Sequence, residues 1–220
     1  MEDISGMDNF CNQLAAVLQD RSISIENESE YLNSAVLVPL IRQGDKLQVL
    51  FEVRSANLTR QPGEICFPGG RIEPEDESSL AAAIRETTEE LGINKQDIQF
   101  IGALNYVVAP FGVILHPFAA YLQEGTILQP SVSEVAEIFT VPLDWLLSTE
   151  PQQAQMEIAT RPTDNFPLHL LPADYPEDWK GRKTYPVWFY QYRHYVIWGL
   201  TARVLHSFLK LCRQAQGNKI

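Results

Sequence analysis

Apolar side chains recur with two different periods along the chain, and the change of period separates helices from strands. Over residues 7–18 the apolar positions, which include Phe10 and Leu14, follow a helical spacing and predict a short amphipathic helix. Residues 34–41 and 47–53 instead form two β-type runs that are joined by a short turn containing Gly and Asp. This arrangement predicts a β-hairpin.

The clearest helical pattern covers residues 78–91, and Gly92 follows it at the position where helices often end in a left-handed glycine. The predicted inward stripe of this helix consists of Leu80, Ala83, Ile84, Thr87 and Leu91. Further strands are predicted at residues 98–107, 114–121, 132–139 and 185–192, and further helices at residues 142–147 and 196–212. Strands that are flanked by helices predict a mixed α/β sandwich.

The predicted organisation is an N-terminal helix and connector in residues 1–33, followed by one domain in residues 34–220. Within this domain, residues 149–186 are rich in proline and in acidic residues, and their apolar positions show weak periodicity. This segment is therefore either an ordered elaboration of the domain or a mobile lid.

The acidic composition limits the possible partners. The chain has 17 Lys and Arg residues against 28 Asp and Glu residues, which gives a net charge of −11. It lacks the basic surface that binding to nucleic acids or anionic membranes requires. The first residues have no signal-peptide pattern, and the apolar stretches are shorter than the roughly 20 residues of a membrane helix. We expect a cytoplasmic protein, monomeric or homodimeric, that binds a small molecule rather than a nucleic acid or a membrane.

Three carboxylates in the helix predicted at residues 78–91 indicate a metal site. Glu86, Glu89 and Glu90 lie within an arc of about 100° on one helix face, and Arg85 is spaced to bridge Glu89. Such carboxylates repel one another unless a cation compensates, and Mg²⁺ or Mn²⁺ prefers oxygen ligands of this kind. A bare acidic run is more often a solvated surface. Here it follows a Gly-Gly turn whose N–H groups can approach an anion, which favours a metal site that acts on phosphate.

The segment formed by residues 69–93 resembles the Nudix box of the Nudix hydrolase superfamily, whose pattern is Gly-x5-Glu-x7-Arg-Glu-U-x-Glu-Glu-x-Gly-U, with U a bulky apolar residue. The second half of the pattern matches residues 85–93, with Thr87 at the first U position. The glutamate of the first half also fits, but Arg71 occupies the place of the first glycine, so the loop after Gly70 is one residue longer. The resemblance implies a Nudix-fold α/β/α sandwich with a mixed β-sheet.

The longer loop resembles that of the coenzyme A pyrophosphatase-like branch of the superfamily, which has an aspartate at the position of Asp76. This branch has an upstream signature, Arg-(Ser/Ala)-x3-Arg-x3-Gly-x3-Phe-Pro-Gly-Gly. The matching residues are Arg54, Ser55, Gly63, Phe67, Pro68, Gly69 and Gly70. The second arginine of the signature falls on Thr59, and Arg60 follows immediately. Residues 133–143 and 195–203 also resemble segments of this branch.

The resemblance implies roles for particular side chains. The implied metal ligands are Glu86, Glu89 and Glu90. Arg85 holds these carboxylates in place, and Gly70 shapes the loop that meets the pyrophosphate.

The general base is expected to be a carboxylate of the box or one of a distal loop, where Glu134 and Glu137 are the candidates and Glu134 is preferred. The expected catalytic residues are Arg85, Glu89 and Glu134. We expect Arg54 and Arg60 to bind the phosphates of the substrate, because guanidinium groups match phosphate oxygens. For Arg54, an ordinary salt bridge at the end of a strand is the alternative.

The implied reaction is hydrolysis of the pyrophosphate linkage in a nucleoside diphosphate that is attached to another group, with Mg²⁺ or Mn²⁺ as cofactor. The expected substrate is coenzyme A or an acyl derivative, which would give 3′,5′-ADP and a 4′-phosphopantetheine moiety. The alternatives are a Nudix pyrophosphatase for ADP-ribose or NADH and a Nudix-derived nucleotide sensor without turnover. The complete set of Glu86, Glu89 and Glu90 argues against the sensor.

Overall fold

The computed structural model describes residues 9–21 and 25–217, and the chain divides into two units between Tyr31 and Leu32. In the first unit, helix α1 (Asn9–Asp20) is followed by a 3₁₀ turn (Glu28–Glu30). The helix predicted over residues 7–18 is confirmed from Asn9 onward, while Met7 and Asp8 lie outside the described residues.

The second unit contains a large mixed sheet. Its strands are β1 (Leu32–Gln43), β2 (Lys46–Arg54), β3 (Ile65–Cys66), β4 (Gly69–Arg71), β5 (Ile98–Ala103), β6 (Val107–Ala109), β7 (Val113–Leu122) and β8 (Val135–Pro142). The central order is β3-β2-β1-β7-β5, with β4 paired to β1, β6 to β7 and β8 to β2. Strands β1 and β7 are parallel and the other pairs are antiparallel, as expected for a mixed sheet.

Strands β1 and β2 form the predicted hairpin, but they pair only near their shared turn, from Leu40 opposite Val49 to Gln43 opposite Lys46. Beyond this region β1 pairs with β4, and β2 pairs with β3. The segment that connects β3 to β4 therefore fills a wedge between the two long strands. Residues 55–70, which the sequence presents as irregular, contain β3 and the start of β4, because strands this short carry no readable alternation.

Helices cover both faces of the large sheet. They are α2 (Ser79–Leu91), α3 (Leu143–Ser148) and α4 (Gly199–Ala215). On β1, Leu37 packs in a cluster with Ala82 and Ala83 of α2, whereas the next residue, Val38, belongs to the cluster that contains Leu205 of α4. Successive strand residues thus point to opposite helical layers, and the predicted α/β/α sandwich is confirmed.

A second, smaller sheet follows α3 and contains β9 (Gln152–Thr160), β10 (Lys180–Tyr192) and β11 (Tyr195–Ile197). Residues 149–186 therefore contain a strand and part of another, which favours the ordered elaboration over a mobile lid. Most side chains of β9 are exposed, and this exposure explains the weak periodicity of the segment. The closing helix begins at Gly199 rather than at residue 196, because Tyr195–Ile197 pairs with β10.

Ser78 sets the start of helix α2. Its hydroxyl oxygen accepts a hydrogen bond from the backbone N–H of Ala81 at 3.1 Å, and Gly92 ends the helix in the left-handed region with φ of 62°. Replacing Ser78 with Ala should lower the free energy of unfolding by about 1 kcal/mol, because one N–H of the first turn loses its acceptor. Urea unfolding followed by circular dichroism measures the change. Ser79→Ala is the matched control, and an equal loss in both variants would contradict the capping role.

Candidate active site

Helix α2 places two of its carboxylates near the wedge between β1 and β2. Its first turns pack Ala82 and Ala83 against the sheet, and the following turn presents Glu86 and Glu90 on a neighbouring stripe. Glu90 is buried, and its Oε2 accepts a hydrogen bond from the Gly69 N–H at 2.7 Å. This carboxylate therefore joins the helix to the glycine turn, the name used for Gly69 and Gly70 where the chain passes from β3 into β4.

Arg85 connects the carboxylates to the loop before α2. Both Nε and Nη2 donate to the carboxylate of Asp76 at 3.0 Å, while Nη1 donates to Glu86 at 2.9 Å and to the more exposed Glu89 at 3.4 Å. Nη2 also donates to the carbonyl oxygen of Arg71 at 3.2 Å. The hydrogen bonds from Arg85 lower the pKa of Asp76. Arg85 thus fixes the loop and two of the three predicted metal ligands, and the aspartate of the longer loop is its bidentate partner.

The two glycines of the turn allow close approach in different ways. Gly69 has φ of 145°, and a Cβ atom there would lie 2.2 Å from the carbonyl oxygen of Ala35. At Gly70 a Cβ atom would lie 2.4 Å from the carboxyl carbon of Glu86. Gly69 is therefore required by the backbone of β1, whereas Gly70 leaves the space that the Glu86 carboxylate occupies.

A further carboxylate, Glu52 on β2, lies at this site and was missed by sequence reasoning. It is 1% exposed, and its Oε1 has no hydrogen-bond partner in the part of the chain that the structure describes. Burial, and then repulsion from Glu90, raise the pKa of Glu52. The available signal was a single acidic residue inside the apolar run of β2, because a strand covered by helices on both faces is ordinarily apolar on both.

The two candidate general bases, Glu134 and Glu137, lie in different surroundings. Glu134 lies close enough to Glu52, Glu86 and Glu90 to raise the pKa of each by repulsion, in addition to the larger effect of burial. Glu137 pairs with Val53 across β2 and β8 and accepts a hydrogen bond from the Tyr195 hydroxyl. The structure therefore brings Glu134, and not Glu137, to the carboxylates of α2.

This group of carboxylates has the chemistry of a site for a hard divalent cation. The donors are all oxygens, three of the carboxylates have pKa values that are raised mainly by burial, and one buried oxygen has no partner among the described residues. In residues 9–21 and 25–217 no three Asp, Glu, His or Cys side chains already form a group that could hold a metal ion. Glu86 is turned to Arg85, and Glu90 is turned to the Gly69 amide. The residues fit a metal by chemistry, and the assignment of Glu86, Glu89 and Glu90 as ligands remains a prediction.

A cavity of about 580 Å³ opens beside the glycine turn. Gly69 and Gly70 form part of its wall, as do three arginines: Arg54, Arg60 and Arg71. Arg54 Nε donates to the carbonyl oxygen of Arg60 at 3.4 Å, so the two predicted phosphate-binding residues are neighbours. Arg71, which occupies the position of the first glycine of the Nudix pattern, is a third cationic group that sequence reasoning did not assign to the cavity. The remaining wall is mainly apolar and includes residues of β1, β7 and α4.

The family of the chain is decided by comparison with known proteins. The NUDIX domain family matches residues 32–161, which is more than half of the chain and includes the carboxylate helix, the glycine turn and Glu134. This chain belongs to the Nudix family. The predicted membership of the Nudix family and the predicted Nudix fold are thereby confirmed.

Curated relatives of this Nudix hydrolase include proteins that are named for coenzyme A. The peroxisomal coenzyme A diphosphatase of Mus musculus is 37% identical over 143 residues, which cover 65% of this chain and 60% of the mouse protein. The peroxisomal coenzyme A diphosphatase of Caenorhabditis elegans is 42% identical over 118 residues, covering 52% of this chain and 50% of the relative. A Nudix hydrolase of Photorhabdus laumondii is 33% identical over 184 residues, covering 84% of this chain and 85% of the relative. The matched parts thus span only 60% and 50% of the lengths of the two coenzyme A diphosphatases.

The described part of this Nudix hydrolase, residues 9–21 and 25–217, contains no helix with the length and apolar character needed to cross a membrane.

Proposed function

We propose that this Nudix hydrolase cleaves the pyrophosphate bond of coenzyme A or of an acyl derivative, releasing 3′,5′-ADP and a 4′-phosphopantetheine moiety, with Mg²⁺ or Mn²⁺ as cofactor. The observation that carries this proposal is the glycine turn at Gly69 and Gly70, which contacts the carboxylates of α2 and also lines the arginine-containing cavity. The names of the mouse and Caenorhabditis elegans relatives support coenzyme A as the substrate.

The cavity has complementary surfaces for the two chemical parts of such a substrate. Arg54, Arg60 and Arg71 supply cationic groups for phosphates near the glycine turn. Apolar side chains such as Val36 and Val204 line another part of the wall, where they could contact the pantetheine arm or an acyl chain. Thr59 occupies the position of the second arginine of the signature, and the next residue, Arg60, lines the cavity. Arg60 can therefore replace that arginine as a phosphate-binding group.

In the proposed reaction a water molecule attacks one phosphorus of the pyrophosphate. Glu134 accepts a proton from this water as the new P–O bond forms and the bridging P–O bond breaks. A divalent cation, when bound by the carboxylates, supplies polarisation of the phosphoryl oxygen and lowers the pKa of a bound water. Arg54 and Arg60 bind phosphate oxygens on which negative charge increases. Arg85 holds Glu86 and Glu89 in position through its hydrogen bonds to them and to Asp76.

A substrate comparison tests the proposal. Purified protein with Mg²⁺ or Mn²⁺ should cleave coenzyme A, and the release of 3′,5′-ADP can be followed by liquid chromatography. ADP-ribose and NADH should be poorer substrates, because they lack the pantetheine arm that the apolar wall would contact. The Glu89→Gln variant and removal of the metal by a chelator should each abolish measurable turnover.

Each alternative function gives a different result in this assay. Cleavage of ADP-ribose or NADH without cleavage of coenzyme A would replace the proposed substrate and retain the reaction class. Nucleotide binding without any metal-dependent cleavage would instead support the sensor. We further propose that the enzyme acts in the cytoplasm as a monomer or homodimer, and sedimentation of the purified protein distinguishes the two states.

A further inference from the structure

Glu52 lies on the face of β2 that is directed towards helix α2. Two residues earlier on the same strand, Leu50 packs in a cluster with Leu91 of α2. Ile138, the partner of Glu52 across β2 and β8, packs against the same cluster. Since residues two apart on a strand, and residues paired across strands, share a face, Glu52 points to the layer that contains Glu90.

The carboxylate of Glu52 is only partly compensated by its surroundings. Among the described residues its Oε1 has no hydrogen-bond partner, and its Oε2 is contacted at 4.0 Å by the thiol of Cys66. Glu90 and Glu134 repel its negative charge, and Arg54 is the cation that opposes them. A fully buried, unpartnered carboxylate is unfavourable in the metal-free protein, and a bound cation would offset this cost.

We propose that Glu52 is a further ligand of the divalent cation, contributed by β2 in addition to the carboxylates of α2. The inference rests on the metal-dependent hydrolysis proposed above. It explains why an unpartnered oxygen is buried on the face of β2 that packs against α2, since a bound cation would provide the partner that the described residues do not. It also gives the site a ligand on a buried strand that is paired on both sides, whereas the predicted ligands of the Nudix box all come from one helix.

A Mn²⁺ titration tests this assignment without substrate. The electron paramagnetic resonance signal of free Mn²⁺ reports the affinity of the intact protein, and the increase in melting temperature on adding Mn²⁺ provides a second measure. Glu52→Gln keeps the shape of the side chain and removes its charge, and it should weaken Mn²⁺ binding by at least about tenfold. Glu52→Met, which leaves no buried polar atom, should show the same loss.

Glu137→Gln is the matched control because it removes one carboxylate from the neighbouring strand on the opposite face of the sheet. Its Mn²⁺ affinity should remain within about twofold of the wild type. Folded Glu52 variants that bind Mn²⁺ as tightly as the wild type would overturn the inference and leave the proposed function intact. Failure of both variants to fold would assign Glu52 to the stability of the core and would also contradict it. Absence of Mn²⁺ binding in the wild type would overturn the metal requirement together with this ligand.

Discussion

Replacing Glu90 with Gln is expected to lower kcat by about 1000-fold, with the fold retained. Gln has the shape of Glu, and its amide oxygen can still accept the hydrogen bond from the Gly69 N–H. The variant therefore loses one negative charge from the proposed metal site without losing the contact that joins α2 to the glycine turn. Turnover of coenzyme A at saturating Mg²⁺ measures the loss, and the Mn²⁺ titration should show weaker binding in parallel.

Glu75→Gln is the control for charge alone, because Glu75 is an exposed residue of the loop before α2. Its kcat should stay within about twofold of the wild type, as is usual for surface substitutions. Melting temperatures of both variants without metal should be no lower than that of the wild type, since burial and repulsion by Glu86 raise the pKa of Glu90 and removing its charge relieves both. A Glu90→Gln enzyme with wild-type kcat would exclude Glu90 as a metal ligand.

Part of the negative charge of the chain is concentrated at the candidate active site. The net charge of −11 argues against extended anionic partners, but Glu52, Glu86, Glu90 and Glu134 place part of that charge around one small region. Neutralisation by a divalent cation would turn this region from one that repels phosphate into one that attracts it. An acidic protein can therefore have a polyanionic substrate, provided that the metal binds as well.

Helix α2 shows how much the sequence can reveal when the signals are local. Its start at Ser78, its end at Gly92 and the stripe containing Ala83 and Leu91 all depend on residues within a few turns of one another. The Nudix box lies within this helix and the loop before it, so the predicted carboxylates appear together on one element. This part of the fold could therefore be predicted from helix capping and from the periodicity of apolar residues.

Glu52 shows what the sequence could not reveal. Its position at the site depends on the divergence of β1 and β2 and on the insertion of β3 beside it, which are pairings between distant segments. The choice between Glu134 and Glu137 likewise depended on where β8 begins, because Glu134 precedes the strand whereas Glu137 lies within it and pairs with Val53. The local periodicity of the sequence predicts neither the wedge between β1 and β2 nor the residue at which β8 begins.

Replacing Gly70 with Ala is expected to lower kcat by about 100-fold, the size of loss that a displacement of about 1 Å in an active site can cause. The added Cβ atom would lie 2.4 Å from the carboxyl carbon of Glu86 and 2.6 Å from each of its oxygens. Because the carboxylate is the flexible end of the Glu86 side chain, we expect the added methyl group to displace the carboxylate and not the backbone of β4. Kinetics with coenzyme A and the Mn²⁺ titration should both show the loss, while the melting temperature changes little.

Gly102→Ala is the matched control, because a Cβ atom on this glycine of β5 would meet nothing within 4 Å. Both substitutions add the same methyl group to a strand of the same sheet, so their difference isolates the contact with Glu86. If Gly70→Ala retained full activity, the carboxylate of Glu86 would not need its present position, and its role as a metal ligand would be contradicted. If the variant instead unfolded, Gly70 would serve the backbone, as Gly69 does against the Ala35 carbonyl, and the shaping of the catalytic carboxylates would have to be assigned to Arg85 alone.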